Sequence, residues 1–101
     1  MRQLQHPETK VITLTGVMNA LCDPARLEIV RSLQNGKERT CGEMGQLTKS
    51  TMSHHFRVLR EAGITRTRIE GTRRISTLRE KDLNARFPGL LKVVLSAREP
   101  L

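Results

Sequence analysis

Residues 62–79 read "AGITRTRIEGTRRISTLR", an Ile- and Thr-rich run that bends at Glu70-Gly71, while apolar residues elsewhere in the chain recur at helical spacings. One β-hairpin set into a helical chain is a narrow specification. Ahead of it, Val11, Leu14, Met18 and Leu21 follow one another at intervals of three, four and three, the seam of an amphipathic helix. "CDPAR" closes that helix and opens the next: Asp23 suits a cap that accepts free backbone N–H groups, and Pro24 suits a first turn. Leu27, Ile29, Val30 and Leu33 stripe the second helix, which ends at "NGK", where Gly36 fits the left-handed position after a helix. "TCGEMGQL" holds a helix of about one or two turns at most. A longer helix covers residues 50–63, and after the hairpin Leu83, Phe87, Leu90, Leu91, Val94 and Leu95 form a last stripe, interrupted at "FPG". The expected fold class is therefore mainly α, in the order helix, helix, short helix, helix, hairpin, helix. Without repeats or linkers, residues 1–101 are expected to form one domain.

The charge is unevenly distributed. The chain carries 18 Lys and Arg against 10 Asp and Glu, a formal charge of +8. Residues 49–79 hold eight of the basic side chains and only two acids, Glu61 and Glu70. A charge run is ordinarily a solvated face, but this concentration favours a phosphate-binding surface, and so double-stranded DNA as the partner. With two Phe and no Trp or Tyr, the chain lacks the aromatics of ligand cages and of platforms that stack single-stranded bases. No apolar run approaches the roughly 20 residues of a bilayer-spanning helix, and no signal-peptide pattern opens the sequence, so no membrane partner is expected. Cys22 and Cys41 are too few to staple a secreted scaffold, which makes a cytoplasmic location the expectation.

The stretch "KSTMSHHFRVLREAGI" carries the functional reading. At about 100° per residue, Met52, Phe56, Leu59 and Gly63 gather on one side of a helix, which must be buried. Ser50, Ser53, His54, Arg57 and Glu61 gather opposite, with Lys49 and Thr51 at the amino-terminal end and His55 at the apolar edge. Adjacent histidines point about 100° apart, whereas two metal ligands on one helix need spacings of three or four. No activated nucleophile or acid partner accompanies them, so catalysis is not expected either. What is left is a face of Lys, Ser, Thr, His and Arg, the side chains that bond phosphates and base edges in the major groove. A short helix, a turn and a basic helix make a helix-turn-helix, whose second helix enters the groove by its amino-terminal part.

"LCDPARLEIVRSL", "STMSHHFRVLREAGI" and "EGTRRISTLR" together resemble the ArsR/SmtB family of winged helix-turn-helix repressors, over about residues 11–96. The resemblance implies a homodimer built on the first and last helices, with the hairpin as a wing reaching towards the minor groove. Many family members sense metal through a Cys-x-Cys pattern; here "TCGEMG" places Glu43 two positions after Cys41. Others use Asp and His ligands on the final helix, and residues 82–101 contain Asp82 but no histidine. The family's usual metal sites are thus not expected, nor is a cofactor.

The expected DNA contacts are Lys49, Ser50, Thr51, Ser53, His54 and Arg57 on the recognition helix, with Arg68, Arg73 and Arg74 on the wing. His55 is expected to be half-buried and to bond the backbone. The expected dimer interface is Val11, Leu14, Met18 and Leu21 with Leu83, Phe87, Leu90, Leu91 and Val94. Sequence-specific repression on an inverted repeat is the leading function. The alternative is a thiol-based or metalloid-sensing repressor using Cys22 and Cys41, set against the plainer expectation that both thiols are small buried packing groups. A third reading is a DNA- or RNA-binding module without regulatory function. Nothing in the sequence identifies an inducer.

Overall fold

Thr13 and Asp23 decide where the first two helices begin. In the computed structural model, which describes residues 4–40, 42 and 48–97, Thr9–Val11 make one 3-10 turn and α1 (Leu14–Leu21) starts after Thr13. The Thr13 hydroxyl accepts the Gly16 N–H at 3.0 Å. Val11 therefore lies outside the helix to which its spacing assigned it. In α2 (Pro24–Ser32), Asp23 Oδ1 accepts the N–H of Ala25 at 2.8 Å and of Arg26 at 3.1 Å. The Arg26 N–H leads the interactions that hold this carboxyl below the usual carboxylate range. A 3-10 turn, Gln34–Gly36, follows, in which Asn35 itself adopts a left-handed φ of 64° and donates its N–H to Glu80 Oε1 at 3.2 Å.

Thr48 caps α3 (Lys49–Glu61) by accepting the Thr51 N–H at 3.3 Å. The helix closes with Ile64 N–H donating to the Leu59 carbonyl and Gly63 N–H to the Arg60 carbonyl, both at 3.0 Å. That pair of bonds is the Schellman arrangement, and it needs the left-handed Gly63, φ 86°.

The expected hairpin is present and gains a third strand. β1 (Arg39–Thr40), β2 (Thr65–Glu70) and β3 (Arg73–Leu78) form an antiparallel sheet in the order β1-β3-β2. Glu70 pairs with Arg73, so Gly71-Thr72 forms the two-residue turn. Thr40, expected at the start of a short helix, belongs instead to β1; apart from Gly42, the rest of "TCGEMGQL", Cys41 included, lies outside the described residues. The last stripe also differs from expectation: the Pro88-Gly89 break divides it into α4 (Glu80–Arg86) and α5 (Leu90–Ser96).

One apolar cluster joins these elements. Ile12, Val17 and Ala20 meet Ile29, Val30 and Leu33 of α2, Met52, Phe56 and Leu59 of α3, Ile64, Leu83 and Leu91. The amino-terminal segment is laced onto this body by two arginines. Arg79 donates from Nη1 to the Pro7 carbonyl and from Nε to Asp82 Oδ2, each at 2.9 Å, while Arg86 Nη2 donates to the Ile12 carbonyl at 2.7 Å.

His6 adds a pH-sensitive tie. Its Nε2 accepts the Thr67 N–H at 3.0 Å, on the edge of β2 that no other strand covers among the described residues. An accepting Nε2 is unprotonated. Burial, then the nearby Arg66, Arg60 and Arg79 charges, lower the pKa of this imidazole from the ordinary value of 6.5. Because the folded-state value is the lower one, the stability contributed is complete above about pH 6.5 and is lost as pH falls through the folded value. Amide exchange at Thr67, corrected for intrinsic rate, is expected to be well protected at neutral pH and less so in mild acid. Equal protection at both would show that the tie does not hold this edge.

Candidate nucleic-acid interface

The helical wheel of α3 is realised in three dimensions. Met52, His55, Phe56 and Leu59 are buried, Ser50, Ser53, His54 and Arg57 are exposed on the opposite side, and Lys49 and Thr51 are exposed at the amino-terminal end. The Thr51 hydroxyl is partly occupied by the cap, accepting a hydrogen bond from Thr48 Oγ1 at 2.8 Å. Arg57 Nη2 lies 3.2 Å from His54 Nδ1. A guanidinium has no acceptor, so Arg57 donates, Nδ1 accepts, and the neutral imidazole carries its proton on Nε2. His54 is thereby set as a donor on the exposed face.

His55 takes a different role from its neighbour. It is 8% exposed, and instead of bonding the backbone it receives Arg26 Nη1 at Nδ1, 3.3 Å away. Arg26 also donates from Nε to the Ala20 carbonyl at 2.6 Å, tying the end of α1 to the middle of α3. Among the described residues, no group of three or more His, Cys, Asp or Glu side chains is placed to hold a metal ion.

Strand pairing separates the three wing arginines that the sequence grouped together. Side chains alternate across a strand, so Thr65, Thr67 and Ile69 of β2 share a sheet face with Arg74, Ser76 and Leu78 of β3. That face meets α3, and Arg74 lines a notch with Ser50, Ser53, His54, Arg57 and Arg60. Arg68 and Arg73 belong to the other face. There Arg68 is clasped by Glu38, through Nη1–Oε2 at 2.7 Å and Nη2–Oε1 at 3.0 Å, and by Glu70 Oε2 at 2.7 Å. The Arg68 bonds hold the Glu38 carboxyl below the usual carboxylate range, and the two carboxylates raise the guanidinium pKa further. Any phosphate approaching Arg68 competes with two carboxylates already in place. Arg60, absent from the sequence-derived set, sits seven residues after Ser53; two helical turns bring both to one face, a spacing the sequence does display.

The arrangement has known counterparts. Residues 21–68 match the family model of the helix-turn-helix domain. Over 82 residues the chain is 42% identical to the uncharacterized HTH-type transcriptional regulator YceK of Bacillus subtilis (strain 168), covering 77% of this chain and 82% of that one. Its fold is similar to the homodimeric winged helix-turn-helix DNA-binding domain Mb0332 from Mycobacterium bovis, a possible ArsR-family transcriptional regulator. There the TM-score is 0.66 and the identity 26%, over 93% of this chain and 89% of the other. The transcriptional repressor BigR from Xylella fastidiosa gives a TM-score of 0.61 at 29% identity, over 84% and 88%. The chain belongs to the ArsR/SmtB-type winged helix-turn-helix transcriptional regulators.

For a regulator of this family the outward apolar residues matter, and they differ from the expected set. Leu21, Leu83 and Leu91 are spent in the protomer's own core, and Phe87, Leu90 and Val94 pack partly against it. Val11, Leu14 and Met18 do lie outside, at 57%, 45% and 55% exposure. Among the described residues Val93, not anticipated, is the most exposed large apolar side chain at 68%. It stands about 200° around α5 from the buried Leu91, so the short helix carries apolar groups on opposite sides. Cys22 also departs from expectation: it is exposed at the end of α1 rather than packed. Among the described residues no helix is long and apolar enough to cross a membrane.

Proposed function

We propose that the protein is a homodimeric repressor that binds an inverted repeat in duplex DNA, places α3 in the major groove and the wing beside it, and works without the family's usual metal sites. The observation that carries this reading is the two-sidedness of α3, whose buried half anchors it while Ser50, Ser53, His54 and Arg57 project together beside Arg74. Phosphate contacts fix position and base-edge contacts select sequence; this face holds side chains for both. The exposed Val11, Leu14, Met18 and Val93 supply an apolar surface for a second copy, and the homodimeric Mb0332 domain supports that assembly. A dimer would set the two α3 helices roughly 34 Å apart, one turn of B-DNA.

Selection of bound duplexes from a random pool should recover an inverted repeat. Arg57→Ala and Ser53→Ala are each expected to weaken binding to it by roughly 1–3 kcal/mol, with thermal unfolding unchanged because both side chains are exposed. Unchanged affinity in both variants would remove α3 from the recognition role. The exposed Cys22 favours one second reading, in which thiol chemistry releases the DNA. Release by peroxide or arsenite, abolished in Cys22→Ser, would establish it; indifference to both reagents returns the reading to plain repression.

A further inference from the structure

We propose that the notch between α3 and the wing is a seat for one DNA backbone phosphate, with Arg60 as its deepest ligand. The notch encloses about 300 Å³ and is lined by Ser50, Ser53, His54, Arg57 and Arg60 from α3 and Arg74 from β3. Three guanidiniums, two hydroxyls and an imidazole converge there, and among the described residues no carboxylate lines it. The contrast with the sheet's other face is physical: Arg68 is matched by Glu38 and Glu70, whereas Arg57, Arg60 and Arg74 share a space that no acid lines among the described residues.

Arg60 gives the site its depth. A smaller hollow of about 40 Å³ shares Ser53, Arg60 and Arg74 with the notch and continues inward to Phe56, Thr67 and Ser76. The Nε of this same Arg60 is buried and has no hydrogen-bond partner among the described residues. A buried donor left unmatched is costly, more so when charged, which suits this group to an acceptor that arrives with a ligand. Hydroxyl, imidazole and guanidinium donors arriving from two elements suit the several oxygens of a tetrahedral oxyanion. The site also lies where a backbone would pass. Recognition helices reach base edges with their amino-terminal residues, and Arg60 is one residue from the carboxyl end of α3, beside the wing. Free phosphate or sulfate shares this chemistry, so the two sources must be separated by experiment.

The proposal rests on the duplex-binding reading and is tested within it, using the full chain and a duplex recovered by selection. Arg60→Gln is expected to weaken binding roughly tenfold and to lower the salt slope, measured between about 50 and 200 mM, by about one unit. Arg60→Lys should retain the slope, which guards against a variant that merely misfolds. Replacing duplex phosphates one at a time by neutral methylphosphonate should reveal one position that weakens the wild type and has no further effect on Arg60→Gln. Arg60→Gln binding with wild-type affinity and slope would overturn the seat, as would finding no such non-additive position. Millimolar inorganic sulfate at constant ionic strength provides the second arm. If sulfate competes with DNA through Arg60 while no methylphosphonate position is coupled to it, the seat belongs to a free oxyanion and the backbone assignment is wrong. Wild-type protein that selects no duplex at all would instead defeat the DNA-binding reading itself.

Discussion

Gly63→Ala is expected to destabilise the protein by about 3 kcal/mol, the sum of two separate penalties. Gly63 has φ 86°, and an L-residue there costs roughly 1–2 kcal/mol. A β-carbon at this position would also lie 2.5 Å from Ile12 Cγ1 and 2.6 Å from its Cδ1. Ile12 is 2% exposed, and its carbonyl is held by Arg86, so neither its side chain nor its backbone has room to retreat. Overpacking a closed core of this kind costs about 1–3 kcal/mol more. Gly71 separates the two terms, because it too has positive φ, 61°, but a β-carbon there meets nothing within 4 Å. Urea unfolding should thus show Gly63→Ala losing clearly more stability than Gly71→Ala. Equal losses would mean that the Ile12 contact contributes nothing.

The close approach of Gly63 to Ile12 illustrates what the sequence could and could not disclose. Spacing places Gly63 on the buried side of a helix running to residue 63, whereas the helix ends at Glu61 and Gly63 takes the left-handed position that only glycine adopts cheaply. Its partner was not legible, because 51 positions separate the two residues and no periodicity links them. The same holds for His6 with Thr67, for Arg26 with His55, and for Glu38 with Arg68. Local patterns were read correctly wherever polar and apolar residues contrasted strongly, as on α3 and at the Asp23 cap. They failed where both sides of an element are apolar. On α1 the interval pattern linked Leu14, Met18 and Leu21, yet the protomer buries Val17, Ala20 and Leu21 and leaves Leu14 and Met18 outside. Spacing shows which residues share a face; it does not show which face the core uses.

The wing is legible in outline and misread in detail for a related reason. Its turn, expected at Glu70-Gly71, lies one residue further on at Gly71-Thr72, and assigning its arginines requires the strand register. A period of two puts Arg73 and Arg74 on opposite faces, and only the pairing with β2 shows that Arg74 is the one beside α3. β1 was invisible because two residues carry no period at all. Arg60 falls outside the amino-terminal half of the helix, where base readout is concentrated, and lies in the half against the wing.

The second large effect is expected from Leu14→Glu combined with Met18→Glu. Both side chains are about half exposed in the protomer, so the double variant should keep a near-normal unfolding temperature. Its assembly should fail. In a two-fold interface every substitution occurs twice, and burying a Leu or Met side chain is worth about 1.5–3 kcal/mol. Because each copy already buries part of these side chains, about 4 kcal/mol is a reasonable total loss for the pair on both copies, or roughly a thousandfold in dimer dissociation constant. Four carboxylates brought to one apolar surface add repulsion and desolvation in the same direction. Sedimentation at micromolar concentration should show a dimer for the wild type and a monomer for the variant. Affinity for the inverted repeat should fall much further than affinity for an isolated half-site, since each α3 retains its own contacts and loses only the tethered second one. A variant that sediments as the wild type does and binds the full repeat equally well would place the dimer contact elsewhere, with the exposed Val93 face of α5 the next surface to substitute.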